Sequence, residues 1–444
     1  MDAARFDPSG PLDGELTAPP DKSISHRAAL LGGFGEGRTR ITRYLDSADT
    51  RSSLAAVARL GAGVEIEEVG GDALDVEIEG FGLRGARPAA EPIDVGNAGT
   101  LIRLLAGLLA GQGEGSFTLD GDASIRRRPM ARVVEPLRQM GASIEASPGE
   151  HAPLRIEGAA LAGIDLRLAV ASAQAKSCAL LAGLLAEGTT TVREPAETRD
   201  HTERMLAGCG VPVRIERSRS LPTSPAPGTI SVGGVERLTL PPMRVPGDFS
   251  SAAFHLVGAC IVPGSEVKID GVGLNPTRVG LLGILNRMGA IVEVDESGHE
   301  AGESLGTIRA RAGALAGTLV EAAEVGLAID ELPLVGLLGC FAEGRTVVRG
   351  AEELRHKESD RIAGVVDALR ALGGEAEARA DGFVVNGTDG LRGGVVDSRG
   401  DHRLAMLGAV AGLASAEGVR VEGFGSAAVS YPGFQRDLRS LIAG

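Results

Sequence analysis

The feature that most constrains this chain is a long-period internal repeat. Six times, an apolar run of small residues ends in a two-residue turn and passes into a β-rich tetrad. The turns are Glu36-Gly37, Glu114-Gly115, Glu187-Gly188, Pro263-Gly264, Glu343-Gly344 and Glu417-Gly418. Successive turn glycines lie 73 to 80 residues apart. A second marker recurs between them: Leu60-Gly61, Met140-Gly141, Cys209-Gly210, Met288-Gly289 and Leu372-Gly373. A glycine there closes an amphipathic helix, because it enters the left-handed cap conformation without steric cost. Each unit therefore reads as helix, strand, helix, strand, with connecting strands. The sixth unit reaches its second helix over 435–443, and segment 14–18 is the expected source of its missing strand. Solenoid units mostly span roughly 20–50 residues, so units of this length are expected to pack as small subdomains instead.

The chain has 444 residues, which suits two α/β domains of three units each. Pro19-Pro20 and Pro241-Pro242 mark the places where the chain crosses between them. The first domain is expected over 20–241, and the second over 1–19 together with 242–444. Two crossings make a hinge, a device that serves closing clefts. The net charge of −14 argues against nucleic acid as a partner. An anion site must then be a local concentration of positive charge. No uninterrupted apolar run approaches the length of a membrane span, and the first ten residues hold no apolar stretch, so neither membrane insertion nor a secretory leader is expected. Cys178, Cys209, Cys260 and Cys340 form no CxxC pair and lie in or beside apolar, helix-like stretches. They read as buried thiols of a cytoplasmic protein, with no metal site.

Each unit opens with a short polar sequence before its first apolar helix. Helix N-termini expose unpaired N–H groups and attract anions. The first opening is Asp21-Lys22-Ser23-Ile24-Ser25-His26-Arg27, where Ser23 or Ser25 is a candidate cap. The second is Gly96-Asn97-Ala98-Gly99-Thr100, followed in the same unit by Arg126-Arg127-Arg128-Pro129. Pro129 suits a first helical turn, which puts Arg128 at a helix edge. The third is Ala171-Ser172-Ala173-Gln174-Ala175-Lys176-Ser177, with Thr198-Arg199-Asp200-His201 opening that unit's second helix. The fourth, Gly247-Asp248-Phe249-Ser250-Ser251, carries no cation and reads as plain capping. The fifth begins Ile329-Asp330-Glu331, a carboxylate pair that fits a cap or a general base. Its unit continues through Lys357, Glu358 and Arg361, with Lys357 and Arg361 at one-face helical spacing. The sixth is Gly400-Asp401-His402-Arg403.

Of 45 basic residues only four are lysine: Lys22, Lys176, Lys268 and Lys357. Three of them fall in these site-like segments. A lysine is a compact charge that shares a proton, which arginine does not do. A chain that otherwise uses arginine therefore places lysine where something other than surface charge is required.

Together these segments resemble the 5-enolpyruvylshikimate-3-phosphate synthases, along the whole chain from Lys22 to Pro432. The resemblance implies an inside-out α/β barrel of two lobes. Each lobe has three βαβαββ units, and helix N-termini face the cleft. It implies transfer of the carboxyvinyl group of phosphoenolpyruvate to the 5-hydroxyl of shikimate 3-phosphate, with release of phosphate. Lys22, Ser23, Arg27, Ser172, Ala173, Gln174, Arg199, Asp330 and Lys357 would bind shikimate 3-phosphate. Lys22, Gly99, Arg128, Gln174, Arg361 and Arg403 would bind phosphoenolpyruvate. Asp330 would act as base for the hydroxyl and Glu358 as proton donor to C3 of phosphoenolpyruvate, with Lys22 the alternative donor. No metal or cofactor is implied, and a monomer is expected. Two departures resemble a divergent branch whose members differ in their response to glyphosate: Ser-Ala-Gln at the third opening, and no lysine in Ala428-Val429-Ser430-Tyr431-Pro432. The related UDP-N-acetylglucosamine enolpyruvyl transferases typically carry Lys-Asn at the first opening and a cysteine in the second unit's loop. Here stand Lys22-Ser23 and a cysteine-free 121–128. RNA 3′-phosphate cyclases share related repeats, but the acidic balance and the matching openings count against them.

Overall fold

Every repeat is built on a helix buried along most of its length. In the computed structural model, which describes residues 2–89, 91–217 and 228–442, these helices are Lys22–Gly33, Gly99–Ala110, Ala173–Gly183, Phe249–Ile261, Leu332–Cys340 and His402–Ala414. They are rich in Ala, Leu and Gly on every side, so no polar stripe is left to face water. Small residues also let them approach closely. A Cβ on Gly107 would stand 2.4 Å from the carbonyl oxygen of Cys178, which sets helix Gly99–Ala110 directly against Ala173–Gly183.

Both glycine markers hold the conformation their positions require. The six turn glycines have φ between 76° and 112°, and the five helix-closing glycines between 80° and 117°. The residue before each of those five is the C-cap: Leu60, Met140, Cys209, Met288 and Leu372.

The chain divides into two compact units, one of residues 20–245 with 300–303, the other of residues up to 19, 246–299 and 304 onward. Each has its own aliphatic core. The sheets follow one scheme. In the second repeat, Ile93–Asp94 runs parallel to Ser116–Asp120, which pairs antiparallel with His151–Glu157, and that strand with Ser143–Ser147. The third and fifth repeats use the same order. Alternate burial along His151–Glu157 shows why: one face of the sheet covers the helices and the other meets water.

Closure of each unit comes from a distant piece of chain. Met243–Arg244 lies parallel to Ile41 and Thr42 and completes the first repeat's sheet. The first unit therefore extends to Val245, beyond the edge expected at residue 241. In the other unit, Asp13–Thr17 runs parallel to Glu266–Gly273 in the fourth repeat's sheet. Ala3–Phe6 pairs antiparallel with Val419–Glu422 in the sixth. The expectation for segment 14–18 is corrected: it closes the fourth sheet, and residues 3–6 supply the sixth, which stays three-stranded. The reason is that two sheets had a free edge, and local pattern does not distinguish between them. The helix expected over 435–443 runs Phe434–Ile442, with residue 443 outside the described residues.

Cys178, Cys260 and Cys340 are buried and Cys209 is partly so. Burial pushes the first three thiols up to about 12 and Cys209 to about 11. Among the described residues no group of His, Cys, Asp or Glu has the arrangement of a metal site, and no helix is long and apolar enough to cross a membrane.

Candidate active site

In the unit of residues 20–245, four helix openings and one loop supply the candidate residues. Helix Lys22–Gly33 is capped by Asp21, whose carboxylate accepts from the Ile24 N–H at 2.9 Å. Neither serine caps it. Ser25 is buried and its hydroxyl donates to the Asp21 carbonyl, while Ser23 is left partly exposed at the helix mouth. Lys22, the first helical residue, reaches the carboxylate of Asp49 at 3.2 Å. Asp49 lies in the first turn of helix Ala48–Arg59 and was not singled out from the sequence.

Arg27 is buried and its three nitrogens donate to neutral oxygens. The acceptors are Thr202 Oγ1 at 2.7 Å, the Ser23 carbonyl at 2.9 Å and Ser177 Oγ at 3.0 Å. Ser177 and Thr202 also bond each other at 2.7 Å. Hydrogen bonds of this kind orient a guanidinium. Helix Ala173–Gly183 is capped by Ser172, whose hydroxyl accepts from the Ala175 N–H. Ala173 and Gln174 occupy its first turn. Gln174 accepts from Arg103 Nη1 at 2.5 Å and donates to Thr100 Oγ1 at 2.9 Å.

Gly99 opens the helix Gly99–Ala110. A Cβ there would lie 2.5 Å from Arg128 Nη1 and 3.2 Å from Arg103 Nη1. Glycine is thus what lets two guanidinium groups approach the helix opening. Arg128 is buried and donates to Asn97 Oδ1 at 2.5 Å and Ser124 Oγ at 3.2 Å. It does not begin a helix. It follows the short 3₁₀ turn Ile125–Arg127 in extended conformation, and the next helix starts at Ala131. Pro129 therefore makes the link between two helical segments rather than a first turn. Arg126 turns outward to a surface pair with Asp120. Arg199 is partly buried just before helix His201–Gly208.

The other unit assembles a different set. Arg361 is 1% exposed at the head of helix Arg361–Ala371. Its guanidinium donates to Asp330 Oδ1 at 3.0 Å, Glu358 Oε2 at 2.6 Å and Asp401 Oδ2 at 2.9 Å. Burial alone would lower its pKa, but the carboxylates of Asp401, Glu358 and Asp330 outweigh that and raise it above the usual arginine range. Lys357 Nζ reaches the same Asp330 oxygen at 3.5 Å. Lys357 and Arg361 do not share a helical face. Lys357 is extended, after the 3₁₀ turn Glu352–His356, and the two meet at Asp330 because the intervening loop folds back.

Asp401 caps helix His402–Ala414 through the Arg403 N–H at 2.9 Å and also accepts from Ser359. Arg403 is buried, donates to the Ser250 carbonyl at 3.0 Å and lies 5.8 Å from the centre of the Phe254 ring. Ser250 donates its hydroxyl to Glu331, which is fully buried. Glu331, although at the cap position of Leu332–Cys340, makes no side-chain cap bond. The fourth opening is a scaffold, capped by Asp248 through the Ser251 N–H, and it holds Arg403 and Glu331 in place.

The architecture is that of the enolpyruvyl transferases. A solved EPSP synthase from Acinetobacter baumannii superposes with a TM-score of 0.83 at 38% identity, covering 99% of this chain and 98% of that one. The enolpyruvyl transferase NikO from Streptomyces tendae shares the fold, with a TM-score of 0.78 at 18% identity over 98% of this chain and 96% of that one. The chain belongs to the family EPSP synthase (3-phosphoshikimate 1-carboxyvinyltransferase), whose pattern it matches over residues 6–438. Proteins named 3-phosphoshikimate 1-carboxyvinyltransferase from Halorhodospira halophila and Thermus thermophilus are each 48% identical to it. The first alignment covers 99% of this chain and 96% of the relative, and the second covers both in full.

Proposed function

We propose that this chain transfers the enolpyruvyl group of phosphoenolpyruvate to the 5-hydroxyl of shikimate 3-phosphate and releases phosphate. The observation that carries the reading is the group around Asp330: two cations hold one carboxylate oxygen, beside a second carboxylate on the same guanidinium. Whole-length membership in the family supports it.

Phosphoenolpyruvate must gain a proton at C3, which makes C2 electrophilic. The acceptor hydroxyl must lose its proton as it attacks C2. The tetrahedral intermediate then expels phosphate while a C3 proton is returned to a carboxylate, which restores the vinyl double bond. Asp330, held by Lys357 and Arg361, takes the hydroxyl proton as the C–O bond forms. Glu358 supplies the C3 proton. Three carboxylates share the Arg361 guanidinium, which sets Glu358 beside Asp330. Arg361, which orients Asp330 and Glu358, also contacts phosphoenolpyruvate in this reading.

Lys22, Ser23, Arg27, Ser172, Ala173, Gln174, Arg199 and Lys357 bind shikimate 3-phosphate in this reading. Lys22, Gly99, Gln174, Arg128 and Arg403 bind phosphoenolpyruvate. Arginines paired with carboxylate and phosphate oxygens supply directional, charge-assisted bonds. The test is phosphate release from phosphoenolpyruvate with alternative acceptors. Release with shikimate 3-phosphate supports the reading. Release only with UDP-N-acetylglucosamine overturns it.

A further inference from the structure

Lys176 stands one turn into the helix that Ser172 caps, yet it is 1% exposed. Its ammonium lies 2.8 Å from Glu203 Oε1, 3.0 Å from Glu194 Oε2 and 3.2 Å from the Thr198 carbonyl. An ammonium has three donors, and here it meets three acceptors. This accounts for a lysine in a chain that otherwise prefers arginine, whose planar fork does not converge on one point. Both glutamates are buried as deeply. Burial pushes the Glu203 carboxyl up, and the ammonium works against that. Thr198 is tied to the same cluster through its hydroxyl, which donates to Glu194 at 2.7 Å.

The three partners punctuate one stretch of chain. Glu194 ends the strand Thr189–Glu194, and Glu203 lies in the first turn of helix His201–Gly208. Between them come Thr198, Arg199 and Thr202. The residue after Lys176 meets the same stretch by another route, since Ser177 bonds Thr202, and both accept from Arg27. Helix Ala173–Gly183 is therefore joined to segment 194–203 twice: by an ion cluster at Lys176, and by hydroxyls at Ser177.

We propose that Lys176, with Glu194 and Glu203, is a positioning residue that fixes segment 194–203 so that Arg199 and Thr202 are held ready for the phosphorylated acceptor. Lys176 does not touch substrate. It sets where Arg199 starts and where Thr202 presents its hydroxyl to Arg27. The inference rests on the assignment of shikimate 3-phosphate as acceptor. A cluster that served only to hold the core would affect both substrates alike.

The experiment is done on the full chain with Lys176→Gln, Glu194→Gln and Glu203→Gln combined, which keeps hydrogen-bonding groups of similar size while removing all three charges. KM for each substrate, kcat and the thermal midpoint are measured. The expected result is a KM for shikimate 3-phosphate raised about tenfold, since small misplacements of binding groups are costly, with kcat and KM for phosphoenolpyruvate within about twofold. A KM for shikimate 3-phosphate equal to the parent's, or both KM values rising together, overturns the proposal. Should the triple variant not fold, Glu203→Gln alone, which keeps the Lys176–Glu194 pair, carries the test. Its KM for shikimate 3-phosphate is expected to rise about threefold without a matching rise for phosphoenolpyruvate, and no selective rise overturns the proposal. A parent protein that releases no phosphate with shikimate 3-phosphate refutes the acceptor assignment instead, and does so before any variant is made.

Discussion

The two units solve different chemical problems with similar helix openings. In the unit of residues 20–245, Arg27, Arg103 and Arg128 are oriented by hydroxyls, amide oxygens and carbonyls. Neutral acceptors fix the direction of a guanidinium. In the other unit, Arg361 is wrapped by Asp330, Glu358 and Asp401, and Lys357 also reaches Asp330. Carboxylates beside cations define proton positions. The first set is suited to holding anions and the second to moving protons. A repeat supplies the same geometry several times, and what diverges is the chemistry of the partner placed beside each cation.

Three substitutions break or sharpen this contrast. Lys22→Arg tests whether the holding set needs a compact ammonium beside Asp49 rather than any positive charge. Turnover is expected to fall about 100-fold, because a displaced charge at the reacting centre costs orders of magnitude. Steady-state kinetics with both substrates check it, and parental rates would remove the special role of lysine. Gly99→Ala introduces a methyl 2.5 Å from Arg128 Nη1, so Arg128 must shift. KM for phosphoenolpyruvate is expected to rise about tenfold while KM for shikimate 3-phosphate changes less, as befits loss of one oriented charge-assisted bond. Arg126→Ala removes only the outward pair with Asp120. Kinetics and thermal midpoint should stay at parental values, because exposed ion pairs contribute little. A large loss in that variant would place the working arginine of the 126–128 run at the wrong residue.

The repeat and the six openings were legible because both rest on local physics. An apolar helix of small residues, a glycine at positive φ and a polar residue at the helix mouth each leave a mark within a few positions. Residues whose role depends on distant partners were not legible. Lys176 looks like Lys22 in its opening, but Glu194 and Glu203, brought in by folding, make it internal. Pro129 puts Arg128 at a helix edge in the sequence, and the four-residue spacing puts Lys357 on a helical face with Arg361. The chain instead uses 3₁₀ turns and extended links that bring the side chains to Asn97 and Asp330. Ser177 and Asp401 stood within the quoted openings, where their side chains were available as internal partners. Asp49, Thr202 and the Arg103–Gln174 bond required the tertiary structure.

The division between holding and proton transfer is tested most directly by Asp330→Asn, read by two measurements on one preparation. Calorimetric titration gives the affinity for shikimate 3-phosphate, and phosphate release gives turnover. Asparagine keeps the shape and removes the base, so turnover is expected to fall by about 10²–10⁴, with affinity staying within about threefold. Turnover at the parental rate, or an affinity that collapses in step with it, would contradict the division of roles between the two units.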